Sequence, residues 1–351
     1  MRLRITNDES RKLDSCGCRP LCAVCRSPSS DPGAPWYNPS MLKIGALTLA
    51  QPTVLAPMAG LTDRVLRQLM DEIGGCGAMV SEMIAAEGLR RRNRRTMEMI
   101  AGFPTRAPQF IQLFGAKPEA LAEAAAIVSA ETGYAGIDVN MGCPVPKVVR
   151  SGAGSGLLQD LPRLAQVVGA VRRATRLPLT VKVRLGFNQV NVMETTRVIE
   201  QEGADAVAVH FRLRSDGYKG SARWELAAAL KESLRIPLLG NGDIMTLAFA
   251  LEKLRLVDGV LIGRGALANP FLFREIAGRE TAERDWGGYV RRLADLIAEH
   301  YPERKRLGKL KAFTRFLVLS RPGTRSWKRR IFLSQDFQEA RGFLEETFPC
   351  P

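Results

Sequence analysis

From Met41 onward, short runs of apolar residues alternate with longer stretches in which apolar residues recur at helical spacing. Short runs that are apolar throughout are typical of strands buried on both faces of a parallel sheet. Eight runs have this character: Thr53–Ala56, Ala78–Glu82, Gln109–Phe114, Gly136–Asn140, Leu179–Arg184, Ala206–His210, Pro237–Gly240 and Gly259–Ile262. Between them, amphipathic helices are predicted at segments that include Pro118–Thr132, Leu161–Thr175, Val192–Glu202 and Ala222–Leu234.

Eight βα units in succession predict the α/β fold class, as a (β/α)8 TIM barrel over residues 41–284. A doubly wound sheet is the alternative architecture. It would normally open with a Gly-rich dinucleotide fingerprint after its first strand, and the sequence after Thr53–Ala56 does not contain one.

The strand pattern stops at about Arg279, and the remaining segment has helical periodicity. Helices are predicted at Tyr289–His300, Leu307–Leu319 and Ser334–Phe348, with a break at Arg321-Pro322-Gly323. This predicts a C-terminal basic helical domain over residues 285–351, since eleven Lys or Arg and no Asp or Glu lie between Arg304 and Arg330.

Residues 1–40 differ from the rest of the chain because they are polar and rich in Pro and Ser. Four cysteines, Cys16, Cys18, Cys22 and Cys25, have a spacing compatible with zinc or an iron–sulfur cluster, but no second knuckle or nearby His completes a familiar site. We therefore expect a disordered extension or a mis-annotated start, with translation beginning at Met41, and no bound metal.

The composition, 46% hydrophobic and 25% charged residues, is that of a globular protein. It includes no apolar stretch long enough to cross a bilayer, and the N-terminus lacks the apolar core of a secretion signal. These features favour a cytoplasmic protein without a membrane partner. A monomer without an obligate protein partner is the default expectation.

The formal net charge of +15 indicates a polyanionic partner, for which RNA, DNA and an anionic membrane are the candidates. An Arg-rich genome is the alternative explanation. Clustering argues for a partner, because Arg90, Arg91, Arg92, Arg94 and Arg95 fall within six residues and the C-terminal basic run contains no acidic residue.

Cys143 follows a predicted strand directly, in Asn140-Met141-Gly142-Cys143-Pro144. The chemistry of a TIM barrel is located at the carboxyl ends of its strands. Cys143 is therefore a candidate acid or nucleophile, although a lone Cys is more often a small buried hydrophobic residue.

Other predicted strands also end in polar residues, which a barrel interior would disfavour. Gln112, Lys182 and His210 are placed to contact the polar edge of a ring system, and the glycines around Asn241 and Arg264 suit a phosphate. The alternatives are a plain turn at Gly240–Gly242, an ion pair of Lys182 with Asp138, and a buried structural His210. Cys76 and His300 are interpreted as structural.

Six motifs resemble those of the tRNA-dihydrouridine synthases, most closely the bacterial B-type branch. They are Leu55-Ala56-Pro57-Met58-Ala59-Gly60-Leu61-Thr62-Asp63, Gln112-Leu113-Phe114-Gly115, Asp138-Val139-Asn140-Met141-Gly142-Cys143-Pro144-Val145-Pro146-Lys147, Val181-Lys182-Val183-Arg184-Leu185-Gly186, Gly240-Asn241-Gly242-Asp243-Ile244 and Ile262-Gly263-Arg264-Gly265-Ala266. The resemblance extends from about Met41 to the C-terminus.

The resemblance implies an FMN-dependent enzyme that reduces the C5–C6 bond of uridines in tRNA, with NADPH as reductant. It implies FMN contacts from Pro57, Met58, Ala59, Gln112, Lys182, His210, Asn241, Gly242, Asp243, Gly263 and Arg264. Reduced flavin would deliver hydride to C6, and Cys143 would donate a proton to C5. Substrate contacts are expected from Asn140, Arg184, Arg90, Arg91, Arg94, Arg325, Lys328 and Arg329.

One segment departs from the family pattern. His210 is followed by Phe211-Arg212-Leu213, where the family usually has Gly-Arg-Thr, so an altered cofactor loop is expected there. Two other functions compete with the resemblance: a flavin-dependent TIM-barrel reductase of a small molecule, and a non-catalytic RNA-binding protein.

Overall fold

The structure is a computed structural model that describes residues 41–278, 284–317 and 325–349. The N-terminal extension with its four cysteines and the predicted break at Arg321-Pro322-Gly323 lie outside these ranges. Within them, the chain forms ten strands and fifteen α-helices.

Eight parallel strands close into a barrel, which confirms the predicted (β/α)8 architecture. The ten strands are β1 (Leu42–Ile44), β2 (Leu47–Leu49), β3 (Thr53–Leu55), β4 (Ala78–Ala85), β5 (Gln109–Phe114), β6 (Gly136–Asn140), β7 (Leu179–Arg184), β8 (Ala206–His210), β9 (Leu238–Asn241) and β10 (Gly259–Ile262). Strands β3 to β10 pair in chain order, and β10 closes the ring on β3 with Val260 opposite Thr53.

The amino-terminal end of the barrel is covered by a hairpin of β1 and β2, which the sequence analysis missed. Its turn contains Gly45, whose φ of 57° is in the left-handed region that favours glycine. The side chains of Leu42, Ile44 and Leu49 are buried in one cluster with barrel residues that include Val54 and Phe110. This end of the barrel is therefore filled with apolar side chains.

Helices α1 to α11 follow the barrel strands. They are α1 (Arg64–Ile73), α2 (Ala86–Arg90), α3 (Arg94–Ile100), α4 (Pro118–Glu131), α5 (Pro146–Arg150), α6 (Leu161–Ala174), α7 (Val192–Gln201), α8 (Ala227–Glu232), α9 (Leu247–Lys253), α10 (Arg264–Ala268) and α11 (Leu272–Ile276). Asp63 caps α1 by accepting a hydrogen bond from the Leu66 N–H at 3.2 Å.

The C-terminal part is helical, as predicted, with α12 (Trp286–His300), α13 (Glu303–Leu317), α14 (Arg325–Leu333) and α15 (Phe337–Thr347). Helix α12 packs against α1, and α13 packs against α10. In the part of the chain that the structure describes, no helix has the length and apolar character needed to cross a membrane.

Candidate active site

A cavity of about 710 Å³ lies at the carboxyl ends of the barrel strands. Its volume is within the roughly 300–1,000 Å³ typical of small-molecule sites. The structure brings together here most of the residues that the sequence analysis selected: Pro57, Met58, Ala59, Gln112, Asn140, Cys143, Lys182, Arg184, His210, Asn241, Gly242, Asp243, Gly263, Arg264 and Lys328.

Cys143 lies in the loop after β6 as a free, half-buried thiol that lines the cavity. Its backbone is held from both sides, because its N–H donates to Asn140 Oδ1 at 2.9 Å and its carbonyl accepts from Ser155 Oγ at 2.9 Å. A Cβ at Gly154 would lie 2.9 Å from the Cys143 carbonyl oxygen. The close packing of this loop fixes the backbone that carries the thiol.

Gln112 and Asn140 occupy neighbouring strands and are joined side chain to side chain. Asn140 Nδ2 donates to Gln112 Oε1 at 2.8 Å. The Gln112 backbone N–H donates to Ser81 Oγ at 3.1 Å, at the point where β4 shifts its register against β5. This irregularity accompanies a β4 that extends to Ala85, three residues beyond the predicted strand.

Lys182 is at the middle of the cavity wall, on β7. Its ammonium donates to Asn241 Oδ1 at 3.1 Å, whereas the carboxylate of Asp138 accepts from Thr180 and Gln112. Burial, together with the nearby Arg184 guanidinium, lowers the pKa of Lys182 to about 8. An anionic or oxygen-rich ligand in the cavity would favour the charged form of this lysine.

The glycine-rich turn after β9 has a non-glycine residue in the left-handed region, since Asp243 has a φ of 55°. Its carboxylate accepts two hydrogen bonds from Arg212 Nη2, at 2.8 and 2.6 Å, and one from the Ala222 N–H at 2.9 Å. Arg264 Nη2 lies 3.3 Å from the same carboxylate. These interactions stabilise a strained turn at the cavity edge.

His210 is buried, and its Nε2 lies 3.2 Å from Arg212 Nη1. A guanidinium can only donate, so Nε2 must accept and the ring proton is on Nδ1. Burial and the surrounding cations, Lys182 foremost, hold the pKa of His210 well below its usual range. His210 is therefore a neutral hydrogen-bonding group at neutral pH.

Arg184 extends beneath the mouth of the cavity, with Tyr218 above it. Its guanidinium donates to the carbonyl of Gly142 at 2.9 Å and to that of Gly217 at 2.8 Å. The Tyr218 ring centroid is 5.4 Å from the Cζ atoms of both Arg184 and Arg264, and Tyr218 is 62% exposed. An exposed aromatic ring at the mouth is thus available for stacking.

Phe211 and Leu213, which differ from the family pattern, pack behind the cavity. Both side chains are buried, and Phe211 packs on Trp224 with ring centroids 4.6 Å apart. Trp224 in turn donates from Nε1 to the Gly242 carbonyl at 3.1 Å. Neither Phe211 nor Leu213 is among the residues that line the cavity.

The first basic cluster lies outside the cavity lining, and its side chains have acidic neighbours. Arg90 and Arg91 contact Glu87 at 3.0 and 3.5 Å, and Arg94 contacts Glu98 at 3.0 Å. These glutamates are on the same helices, one turn away. The cluster is therefore less positive in space than the run of arginines suggests.

The C-terminal basic run is divided in the structure. Lys328 lines the cavity together with Arg315, and Arg329 is exposed on the same helix as Lys328. Arg325 is the first residue of that helix, α14. In contrast, Lys309 forms a 2.7 Å ion pair with the buried Asp63 and Arg330 one of 3.1 Å with Glu346, so part of the basic run is engaged within the protein.

Several lining residues were not selected from the sequence: Met83, Tyr218, Arg315 and Phe316. Tyr218 lies in a long loop, where its type and position gave no periodic signal. Arg315 and Phe316 belong to α13, and the packing of that helix on α10 and its bonds to Gly60 and Asp63 bring them to the barrel. Arg212 was noted as part of the segment after His210 that departs from the family pattern, but its pairing with Asp243 depends on the fold.

Two kinds of comparison identify relatives of this chain. A family model described as dihydrouridine synthase matches residues 54–349. A probable tRNA-dihydrouridine synthase of Mycobacterium tuberculosis is 35% identical over 335 residues, which cover 88% of this chain and 86% of the relative. The tRNA-dihydrouridine synthase B of Pseudomonas aeruginosa is 41% identical over 241 residues, which cover 68% of this chain and 72% of that protein.

Among solved structures, the histamine dehydrogenase of Rhizobium sp. 4-9 matches with a TM-score of 0.52 at 14% identity. The match covers 74% of this chain and 50% of that one. At this level of identity, the likeness concerns the fold alone.

Proposed function

The chain belongs to the dihydrouridine synthase family, and we propose that its cavity holds FMN against a uridine of tRNA. The protein is a flavin-dependent enzyme that reduces uridines in tRNA to dihydrouridine. The proposal rests on one observation: the Cys143 thiol lines the same cavity as Gln112, Lys182 and His210.

The donor set of the cavity fits the ring system of a flavin. The half-buried Lys182 ammonium has a hydrogen bond to a neutral amide oxygen, so the electronegative edge of a flavin would give it a stronger acceptor. Gln112 keeps one amide hydrogen beyond the one that it donates to Asp138. These residues would hold and orient the ring.

The opposite side of the cavity suits the phosphate of FMN. Arg264, just after β10, and Arg315 and Lys328, from the C-terminal helices, are cationic lining residues, and among the described residues Asp243 is the single lining carboxylate. Asp243 is already engaged by Arg212, so Arg264 remains to neutralise a phosphate next to Gly242 and Gly263.

In the reaction, a bound reduced flavin supplies the hydride that reaches C6 of the uracil. Cys143 donates its thiol proton to C5, so that one hydride and one proton together saturate the C5–C6 bond. The resulting thiolate regains its proton from solvent. A positioned general acid contributes about 10²- to 10⁴-fold to such a step.

The substrate base must leave its stack to reach the cavity, which costs less in a loop than in a duplex. Tyr218 at the mouth would stack on the RNA, and Asn140 would hydrogen-bond the uracil. Lys328 and Arg329, on a helix that borders the mouth, would contact phosphates. We therefore propose that residues 285–351 form the RNA-binding domain. As the reductant of the flavin we propose NADPH, which the family resemblance implies.

The experiment is a visible spectrum of the purified protein, followed by anaerobic reduction with NADPH and mixing with unmodified tRNA. We expect a yellow protein that NADPH bleaches and that tRNA reoxidises as dihydrouridine forms. Mass spectrometry of the heat-released cofactor distinguishes FMN from FAD.

A yellow protein that is reoxidised by enones or other small molecules but not by tRNA would instead indicate a small-molecule reductase. A protein that cannot be loaded with flavin would leave an RNA-binding function. An already modified tRNA, in which the target is dihydrouridine, is the matched control for unmodified tRNA.

A further inference from the structure

Asp138 is a carboxylate buried inside the barrel, on β6, with 2% of its surface exposed. It is not one of the residues that line the 710 Å³ cavity. Its Oδ1 accepts from Thr180 Oγ1 at 2.5 Å, and its Oδ2 accepts from Gln112 Nε2 at 2.6 Å. Burying a carboxylate costs desolvation free energy, which its hydrogen bonds must offset.

The hydrogen bond to Gln112 is the first link of a chain that ends at the Cys143 loop. Gln112 Oε1 accepts from Asn140 Nδ2 at 2.8 Å. Asn140 Oδ1 then accepts from the backbone N–H groups of Gly142, at 3.2 Å, and Cys143, at 2.9 Å. Three side chains from two adjacent strands thus connect the barrel interior to the catalytic loop.

The direction of every bond in this chain follows from its loop end. A backbone N–H can only donate, so Asn140 must present its oxygen to Cys143 and its amide nitrogen to Gln112. Gln112 must then present its oxygen to Asn140 and its nitrogen to Asp138. The residue at position 138 must therefore accept, which a carboxylate does without ambiguity.

We propose that Asp138 is a positioning residue for the reduction of uridine: through Gln112 and Asn140 it fixes the loop that carries the Cys143 thiol. The inference rests on the proposed function, because it assigns the purpose of the chain to that reaction. The chain needs an acceptor at position 138, and it does not need a negative charge there.

This distinction gives a sharp pair of variants. In Asp138→Asn, the amide oxygen can accept from Gln112 while the amide nitrogen donates to Thr180 Oγ1, so the chain is preserved without the charge. In Asp138→Ala, Gln112 loses its acceptor and is free to flip. Thr180→Val is the matched control, because it removes the other hydrogen bond of Asp138 and leaves the chain intact.

We expect Asp138→Ala, once loaded with FMN, to lose about 10- to 100-fold in the rate of flavin reoxidation by tRNA beyond any change in its rate of reduction by NADPH. The loss should appear in the single-turnover rate and not in the tRNA concentration for half saturation. Asp138→Asn and Thr180→Val should remain within about threefold of the wild type. Should Asp138→Ala not fold, Asp138→Leu replaces it, since leucine has the same branched heavy-atom skeleton without an acceptor.

A second readout does not depend on catalysis. The rate of alkylation of Cys143, followed by peptide mass spectrometry with Cys76 as internal reference, should change in Asp138→Ala and be restored in Asp138→Asn. Equal behaviour of the Ala and Asn variants in both assays, whether both are impaired or both are normal, would overturn the proposal. Failure of tRNA to reoxidise the wild-type flavin would instead count against the proposed function.

Discussion

Cys143 and Cys76 lie at opposite ends of the barrel, and their positions give the two thiols different chemical environments. Cys76 precedes β4 near the amino-terminal end, where its thiol donates to the Ala78 carbonyl at 2.9 Å and burial raises its pKa to about 12. Cys143 follows β6 at the opposite end and lines the cavity. Only the second is placed to exchange a proton with a ligand.

We expect Cys143→Ala to retain its flavin and its reduction by NADPH, because the thiol is not needed to hold the cofactor. Flavin reoxidation by tRNA should fall by about 10²- to 10⁴-fold, the value of a general acid. Stopped-flow absorbance under anaerobic conditions measures both half-reactions. A Cys76→Ala variant is the control, and wild-type reoxidation by Cys143→Ala would contradict the acid role.

Lys182 gives a prediction about pH. Because its pKa in the ligand-free protein is lowered to about 8, its ammonium is present below that pH and is lost as the pH rises through it. Flavin affinity should therefore be highest below about pH 8 and decline above it. Asp138, Cys143, Arg184 and His210 are the other titratable groups around this lysine.

Isothermal titration of the flavin-free protein with FMN measures this decline. The titrations run from about pH 6.5 to about pH 9.5, in steps of about one unit around that pKa. In Lys182→Met the affinity should be lower throughout and the dependence above pH 8 should disappear. An unchanged pH profile in that variant would assign the dependence to another group.

The identities of the residues that line the cavity followed largely from the sequence, since polar residues at the ends of apolar strands must converge in a closed barrel. The links between them did not follow. The contact between Gln112 and Asn140, for example, depends on the register of β5 against β6 and on two side-chain rotamers. A sequence pattern specifies neither.

At the scale of elements, one link between the barrel and the C-terminal helices is built around Asp63. Its carboxylate accepts from Tyr301 Oη at 2.5 Å and pairs with Lys309 Nζ at 2.7 Å. Lys309 also donates to the Gly60 carbonyl at 3.0 Å, in the loop that contributes Met58 and Ala59 to the cavity. Helix α13 therefore supports a cavity loop directly.

Lys309→Met should destabilise the protein by about 1–3 kcal/mol, because it leaves the buried Asp63 carboxylate without its cation. It should also weaken flavin binding through the Gly60 loop. Lys305→Met is the matched control, since Lys305 is exposed on the same helix and carries the same charge. Thermal unfolding and flavin titration test both variants, and equal effects would contradict the role of Lys309.

The barrel strands were predictable because strands buried on both faces are apolar throughout, and most bounds agree within a residue or two. The β1–β2 hairpin was missed, although Leu42-Lys43-Ile44 and Leu47-Thr48-Leu49 alternate around a two-residue turn. Helix α14 was missed because four of its nine residues, Arg325–Leu333, are basic and three of its four apolar residues are consecutive at its end. Its position depends on packing against α15.

At the scale of the whole molecule, the basic residues behind the net charge of +15 have different surroundings in the structure. Some of the 51 Lys and Arg residues are engaged by carboxylates, as at Arg92 with Glu131 and Lys309 with Asp63. Others, including Lys328 and Arg329, border the cavity mouth. The second group is what we expect RNA to contact.

Reversing Lys328 and Arg329 to Glu should weaken tRNA binding and make its logarithmic dependence on salt shallower by about 1–2, because fewer counterions are released. Flavin content should not change. Reversal of Arg176 and Arg235, exposed residues before β7 and β9 at the other end of the barrel, is the control with the same change in charge. Equal weakening by both pairs would mean that net charge alone governs binding, as measured by filter binding across a salt series.

The apolar hairpin that fills the amino-terminal end of the barrel also has a consequence for the order of events. With that end filled, the described part of the cavity is reached from the side bordered by α13 and α14, where we place the tRNA. We therefore expect the reductant and the tRNA to enter the cavity from this one side and to occupy it by turns. Initial rates measured against both substrates should give parallel double-reciprocal lines, and each substrate in excess should inhibit competitively against the other.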